Sequence, residues 1–173
     1  VKIDKLVVKK VLSCFPEDDL RVPARAMWEG DCGSVPVLDS WSRVIGMITD
    51  RDICMAAYTQ GRRLEDIRVQ DVMSKNIVSC KSTDSVEQVE ELMRRSRVRR
   101  LPVLDADKHL VGLVSLNDLA RSAKSEPPST RDASLRHVGQ LLADVSEPRL
   151  RPDMSCGLEP GLAKLSASAQ EIC

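Results

Sequence analysis

The sequence predicts an α+β chain made of two copies of one strand–helix–strand–strand–helix unit. Three observations carry that prediction. Shifted by 66 residues, Val11–Ala57 aligns with Ile77–Ala123 without a gap, and 11 of the 47 positions are identical. The identities cluster, with Pro-Val-Leu-Asp at Pro36–Asp39 and again at Pro102–Asp105, and a glycine set ahead of an aspartate at Gly46 and Asp52 and again at Gly112 and Asp118. Finally, a unit of about 47 residues buries too little surface to stand alone, so the copies are expected to pack on each other about a pseudo-two-fold axis. The chain of 173 residues then divides into repeat one at 5–61, repeat two at 62–123, a linker at 124–131, a C-terminal amphipathic helix at 132–146 and an irregular tail at 147–173.

Each copy opens on a short apolar run, Val11–Cys14 or Ile77–Cys80, expected as a strand. Asp18 and Asp84 follow as candidate helix caps. In copy two, Val86, Val89 and Met93 give the apolar face of a helix; copy one offers Leu20, Ala24 and Met27 but carries Pro23. Proline is tolerated there only if the helix starts late, so its first turn is expected to be irregular. Two strands come next, Val35–Leu38 and Val44–Ile48, repeated as Leu101–Leu104 and Leu110–Val114. Their apolar runs are nearly continuous, which predicts cover on both faces. Thr49 and Ser115 are placed to cap the second helix of each copy.

Past Ala123 the composition changes, and five of the nine prolines fall in the last fifty residues. Lys-Ser-Glu-Pro-Pro-Ser-Thr reads as a linker, and Leu135, Val138, Leu142 and Val145 then recur at helical spacing. Alternating Pro, Gly, Ser and charge after Glu147 predicts an irregular tail.

The chemistry sits in the repeated glycine–hydroxyl–aspartate pattern. A strand ends on a glycine-led apolar run, and a hydroxyl residue caps the next helix, whose free N–H groups and partial positive charge suit a phosphate. One turn on, Asp52 or Asp118 lies beside the hydroxyl, where a carboxylate can accept both hydroxyls of a ribose. The same spacing also describes a plain capping pair. Five arginines crowd residues 94–100. Glu90–Arg94 and Glu91–Arg95 are favourable i,i+4 pairs on a helix surface, whereas Arg99 and Arg100 directly precede the Leu-Pro-Val strand.

These motifs resemble the cystathionine-β-synthase (CBS) domain, which occurs in tandem as a Bateman module. The likeness is carried by Gly33-Ser34-Val35-Pro36-Val37-Leu38-Asp39 with Gly46-Met47-Ile48-Thr49-Asp50-Arg51-Asp52, by their counterparts from Arg100 to Asp118, and by the introducing phrase Val69–Ser74. It implies a sensor that binds an adenosine-containing nucleotide (AMP, ADP or ATP) between the repeats and signals through protein contacts. Asp52 and Asp118 would take the ribose; Thr49, Ser115, Arg51, Arg99 and Arg100 would take phosphate or sugar oxygens. Gly46 and Gly112 would supply backbone, and the segments Leu12–Cys14 and Val78–Cys80, with Val35 and Leu101, the walls around adenine. It implies a homodimer and an unnamed protein partner, with the nucleotide as regulatory ligand and no cofactor required. A ligand-free dimerisation or interaction scaffold is the alternative.

Composition excludes other classes. Lysine plus arginine and aspartate plus glutamate both number 26, and only Phe15, Trp28, Trp41 and Tyr58 are aromatic, so neither a basic nucleic-acid face nor a base-stacking platform is expected. No apolar run reaches the roughly 18 residues that span a bilayer, which predicts a cytoplasmic protein without membrane contact. The cysteines form no CxxC pair, and His109 and His137 stand apart in sequence, so neither a zinc site nor a nucleophile–base pair is expected, and the chain is read as no enzyme.

Overall fold

The computed structural model describes residues 2–147. Repeat one consists of α1 (Arg21–Glu29), β1 (Ser34–Leu38), β2 (Val44–Thr49) and α2 (Asp50–Gln60); repeat two of β3 (Cys80–Lys81), α3 (Val86–Ser96), β4 (Arg100–Leu104), β5 (Leu110–Ser115) and α4 (Leu116–Lys124); α5 (Pro128–Ser146) follows. The β1–β2 and β4–β5 hairpins are antiparallel, and their registers correspond residue for residue under the 66-residue shift, down to an irregularity before Leu38 and Leu104. The opening strands are shorter than expected. Copy one keeps only a parallel bridge from Cys14 to Val37, and copy two keeps the two residues of β3, paired in parallel with β4.

Each repeat has its own core. Cys14, Leu20, Met27, Val35, Val37, Ile48 and Ile53 form the first, and Cys80, Val89, Met93, Leu101, Val103, Val114 and Leu119 form the second. The expected cover on both faces holds for β1, whereas β2 alternates between buried and half-buried residues.

The repeats are joined by a reciprocal exchange. Val8, near the start of repeat one, pairs with Leu113 on β5 of repeat two (N–O 2.9 and 3.0 Å). Ser74, its counterpart near the start of repeat two, pairs with Met47 on β2 of repeat one (2.9 and 3.0 Å). Likewise Ile3 donates to Asp84 and Val69 to Asp18, and Ile3 and Val69 each sit fully buried in the other repeat's core. At the axis the two hairpin turns meet, with Val44 N donating to Lys108 O and Leu110 N to Ser42 O. This exchange is the physical content of the pseudo-two-fold axis.

Helix starts differ from the sequence expectation in an informative way. Asp18 and Asp84 do not cap helices; their carboxylates close the preceding turn by accepting the N–H of Phe15 and Lys81. α3 is capped by Ser85 in a capping box with Gln88, while α1 starts at Arg21 without a side-chain cap, which puts Pro23 in its first turn. α5 starts at Pro128, four residues before the expected Asp132, because Pro127 and Pro128 open the helix rather than extend a linker. Its buried face is also rotated: Leu141 and Val145 enter the second core with Val138 against it, while Leu135 and Leu142 stay partly exposed. The tail expected past Glu147, with Cys156 and Cys173, lies outside the described residues.

Candidate functional site

Both glycine–hydroxyl–aspartate motifs fold into the same local structure. Thr49 and Ser115 are the N-caps of α2 and α4, each in a capping box with the aspartate three residues on. Asp52 Oδ2 accepts from Thr49 N at 2.9 Å and from its hydroxyl at 2.7 Å; Asp118 Oδ2 accepts from Ser115 N at 2.8 Å and its hydroxyl at 2.5 Å. Asp118 differs in being buried and in its second oxygen, which holds Arg121 one turn further along α4.

A cavity of about 250 Å³ opens beside Asp118, between the two repeats. Ser115, Asn117 and Asp118 from α4 and its cap form one side, and Lys10, Leu12 and Ser34 the other. Arg100 reaches into it across the axis and lies 3.4 Å from Ser34 Oγ, its own counterpart under the shift. Lys10, Arg100 and Arg121 bring three cations to it against the carboxylates of Asp31 and Asp118. A larger groove of about 1220 Å³ runs on from this cavity over α1 and α2, and Asp31, Cys32, Arg100, Ser115 and Asn117 line both.

The predicted residues thus fall into groups. Asp118, Ser115 and Arg100 converge on one cavity, and Arg99 lines the adjoining groove while donating to Ser146 Oγ at 3.0 Å. Thr49, Arg51 and Asp52 line neither space. Cys14, Cys80, Val35 and Leu101 are core residues at 3% exposure or less, closed off from both cavities; burial pushes the Cys14 and Cys80 thiols up to about 12. The aliphatic sides of the cavity come from Leu12, at the start of one expected wall segment, and from Val8, Val11 and Leu113. Gly46 and Gly112 also line neither space: they sit beneath the exchanged segments, where a Cβ on Gly112 would stand 2.7 Å from Val8 O and one on Gly46 would stand 2.7 Å from Met73 Sδ. Lys10, Asn117 and Arg121 escaped the sequence reading. Arg121 had a signal, since it lies one helical turn beyond Asp118, whereas Lys10 arrives only through the strand exchange.

The arginine cluster is largely committed to α5. Arg94 binds Asp144 (2.8 Å) as well as Glu91, Arg97 binds Glu147 (2.9 Å), and Arg95 binds Glu91 as expected. Glu90 does not pair with Arg94; it is buried and meets His137 Nε2 at 2.7 Å. Among the described residues no helix is long and apolar enough to cross a membrane.

Comparison with known proteins agrees with this architecture. The sequence matches the CBS domain at residues 3–58 and again at 69–125. It is 32% identical over 133 residues to an inosine-5'-monophosphate dehydrogenase of Methanocaldococcus jannaschii, covering 76% of this chain but only 25% of that enzyme. It is 36% identical over 111 residues to the CBS domain-containing protein YhcV of Bacillus subtilis, covering 64% of this chain and 77% of that one. Among solved structures, the CBS domain pair of protein MJ0100, in complex with 5'-methylthioadenosine and S-adenosylmethionine, superposes with a TM-score of 0.64 at 20% identity over 70% of this chain and 98% of that one. With both repeats matched in register, the chain belongs to the CBS domain family, as a tandem pair.

Proposed function

We propose that the chain is a regulatory module, not a catalyst, and that the cavity beside Asp118 binds an adenosine-containing nucleotide. One observation carries the reading: the N-terminus of α4, the Asp118 carboxylate and the three cations Lys10, Arg100 and Arg121 all converge on one cavity between the repeats. In this reading Asp118 takes the ribose hydroxyls, with Arg121 released from the carboxylate to join Lys10 and Arg100 at the phosphate. The adenine lies between Val11, Leu12 and Leu113. The excess of cations favours AMP or ADP over an uncharged adenosine thioether. The MJ0100 pair, which carries two adenosine compounds, supports the choice of ligand class. The occupied module acts through contacts with another protein, as a homodimer in the cytoplasm; light scattering that finds a monomer at every concentration would remove the dimer.

The test is a thermal-shift series with AMP, ADP, ATP, 5'-methylthioadenosine and S-adenosylmethionine. A ligand at 100 times its dissociation constant adds about 2.7 kcal/mol to the folded state, a rise of several degrees for a chain of this size. The rise is expected with AMP or ADP, lost in Asp118→Ala and kept in Asp52→Ala. Loss in Asp52→Ala alone would move the site to the other cleft. A flat series would favour a ligand-free scaffold, a reading supported by the capping boxes that already occupy one oxygen of each aspartate.

A further inference from the structure

Repeat two carries α5 on its helical face, and among the described residues repeat one carries no helix in the equivalent place. The seat of α5 includes Glu90, Met93, Arg94, Arg97 and Leu119, which meet the helix through His137, Leu141, Asp144, Val145 and Glu147. Moved back by 66 residues, those five positions are Ala24, Met27, Trp28, Asp31 and Ile53. All five line the 1220 Å³ groove, which Leu142 of α5 borders. The groove is therefore the equivalent helix seat, with no helix on it among the described residues. Trp28 stands at its rim with 88% of its surface exposed, and Tyr58 on α2 is 59% exposed. A large aromatic so placed is a common anchor of protein interfaces.

The charges identify the occupant. On repeat two, α5 presents His137 to Glu90, Asp144 to Arg94 and Glu147 to Arg97. On repeat one those positions are Ala24, Trp28 and Asp31, so α5 from a second copy would set Asp144 over an indole face and Glu147 against a carboxylate. A complementary helix is apolar where α5 has His137 and cationic where it has Asp144 and Glu147. Its first cation would lie on the Trp28 ring. The second would meet Asp31, with Asp50 nearby on the same groove wall. Cations in a last turn also suit the helix dipole. We propose that the groove over α1 and α2 docks an amphipathic helix of a partner protein, bearing apolar anchors spaced as Leu141 and Val145 and a basic C-terminal turn.

Trp28 reports on this directly, because Trp28 and Trp41 are the only tryptophans. In Trp41→Phe protein of this sequence, all indole emission comes from Trp28. The probe is a synthetic peptide of residues 128–147 carrying His137→Leu, Asp144→Arg and Glu147→Arg; the unaltered peptide is the control. Titration without nucleotide is expected to shift Trp28 emission to the blue and saturate with the altered peptide only. Asp31→Lys is expected to weaken that peptide about fivefold, the worth of one good surface ion pair. No shift with the altered peptide, or equal shifts with both, overturns the proposal. So does a dimer seen by light scattering that Trp28→Arg dissolves, since the groove would then belong to a second copy.

Discussion

Gly46 and Gly112 are counterparts in sequence and differ in what surrounds them. A methyl group on Gly112 would press on Val7 Cγ1 and on the backbone oxygen of Val8, which is pinned by its pairing with Leu113. On Gly46 the nearest atom is the movable Met73 sulfur, with Ser74 O further off at 3.1 Å. Gly112→Ala is therefore expected to cost about 1–3 kcal/mol, the usual penalty of overpacking, and Gly46→Ala less, as read from urea denaturation midpoints. The buried thiols give a second prediction. With Cys14 and Cys80 raised to about 12, the folded state keeps a proton that the unfolded chain releases near 9, so both groups subtract stability as pH climbs above about 9. Near pH 8 iodoacetamide should modify exposed Cys54 and spare Cys14 and Cys80 until the protein unfolds; peptide mapping decides it. At this scale the sequence made the Ser115–Asp118 cap legible, because capping chemistry has a fixed spacing. It hid Lys10, which is over a hundred residues from Asp118 and reaches it through backbone pairing that leaves no periodic mark.

α5 shows how far periodicity reaches. Leu135, Val138, Leu142 and Val145 make one acceptable seam, and Val138, Leu141 and Val145 make another. The choice between them depends on where Glu90 and Arg94 stand on α3, a tertiary fact. Leu141→Ala is expected to cost about 2–5 kcal/mol in denaturant unfolding, since the residue is fully buried in the second core, whereas Leu142→Ala should be nearly neutral. The docking should also loosen in acid. The Arg94 guanidinium beside Asp144 holds its carboxyl below the ordinary carboxylate range. The pair therefore contributes above about pH 4 and is lost as pH falls through the lowered value. Hydrogen exchange along α5 should quicken at pH 3 relative to pH 6, corrected for the intrinsic rate; equal protection would count against the pair as a support.

Across the whole molecule, the 66-residue shift made the twofold plan legible, because identical residues recur in register. The exchange between the halves was not legible, because each crossing rests on a few backbone bonds and one or two buried apolar residues, with no periodic pattern. Repeat one takes Ile67, Val69 and the Ser74 pairing from beyond its own boundary. A fragment ending at Asp66 is accordingly expected to lack cooperative unfolding by circular dichroism, and a sharp transition would show that the first core suffices alone. The exchange also sets an order on the growing polypeptide. The sheet of repeat one can close once residue 74 has left the ribosome, but the segment around Val8 waits until residue 113 appears. For that interval, a few seconds at ordinary rates of synthesis, the nascent chain carries the segment around Val8 unpaired, open to a chaperone until β5 arrives.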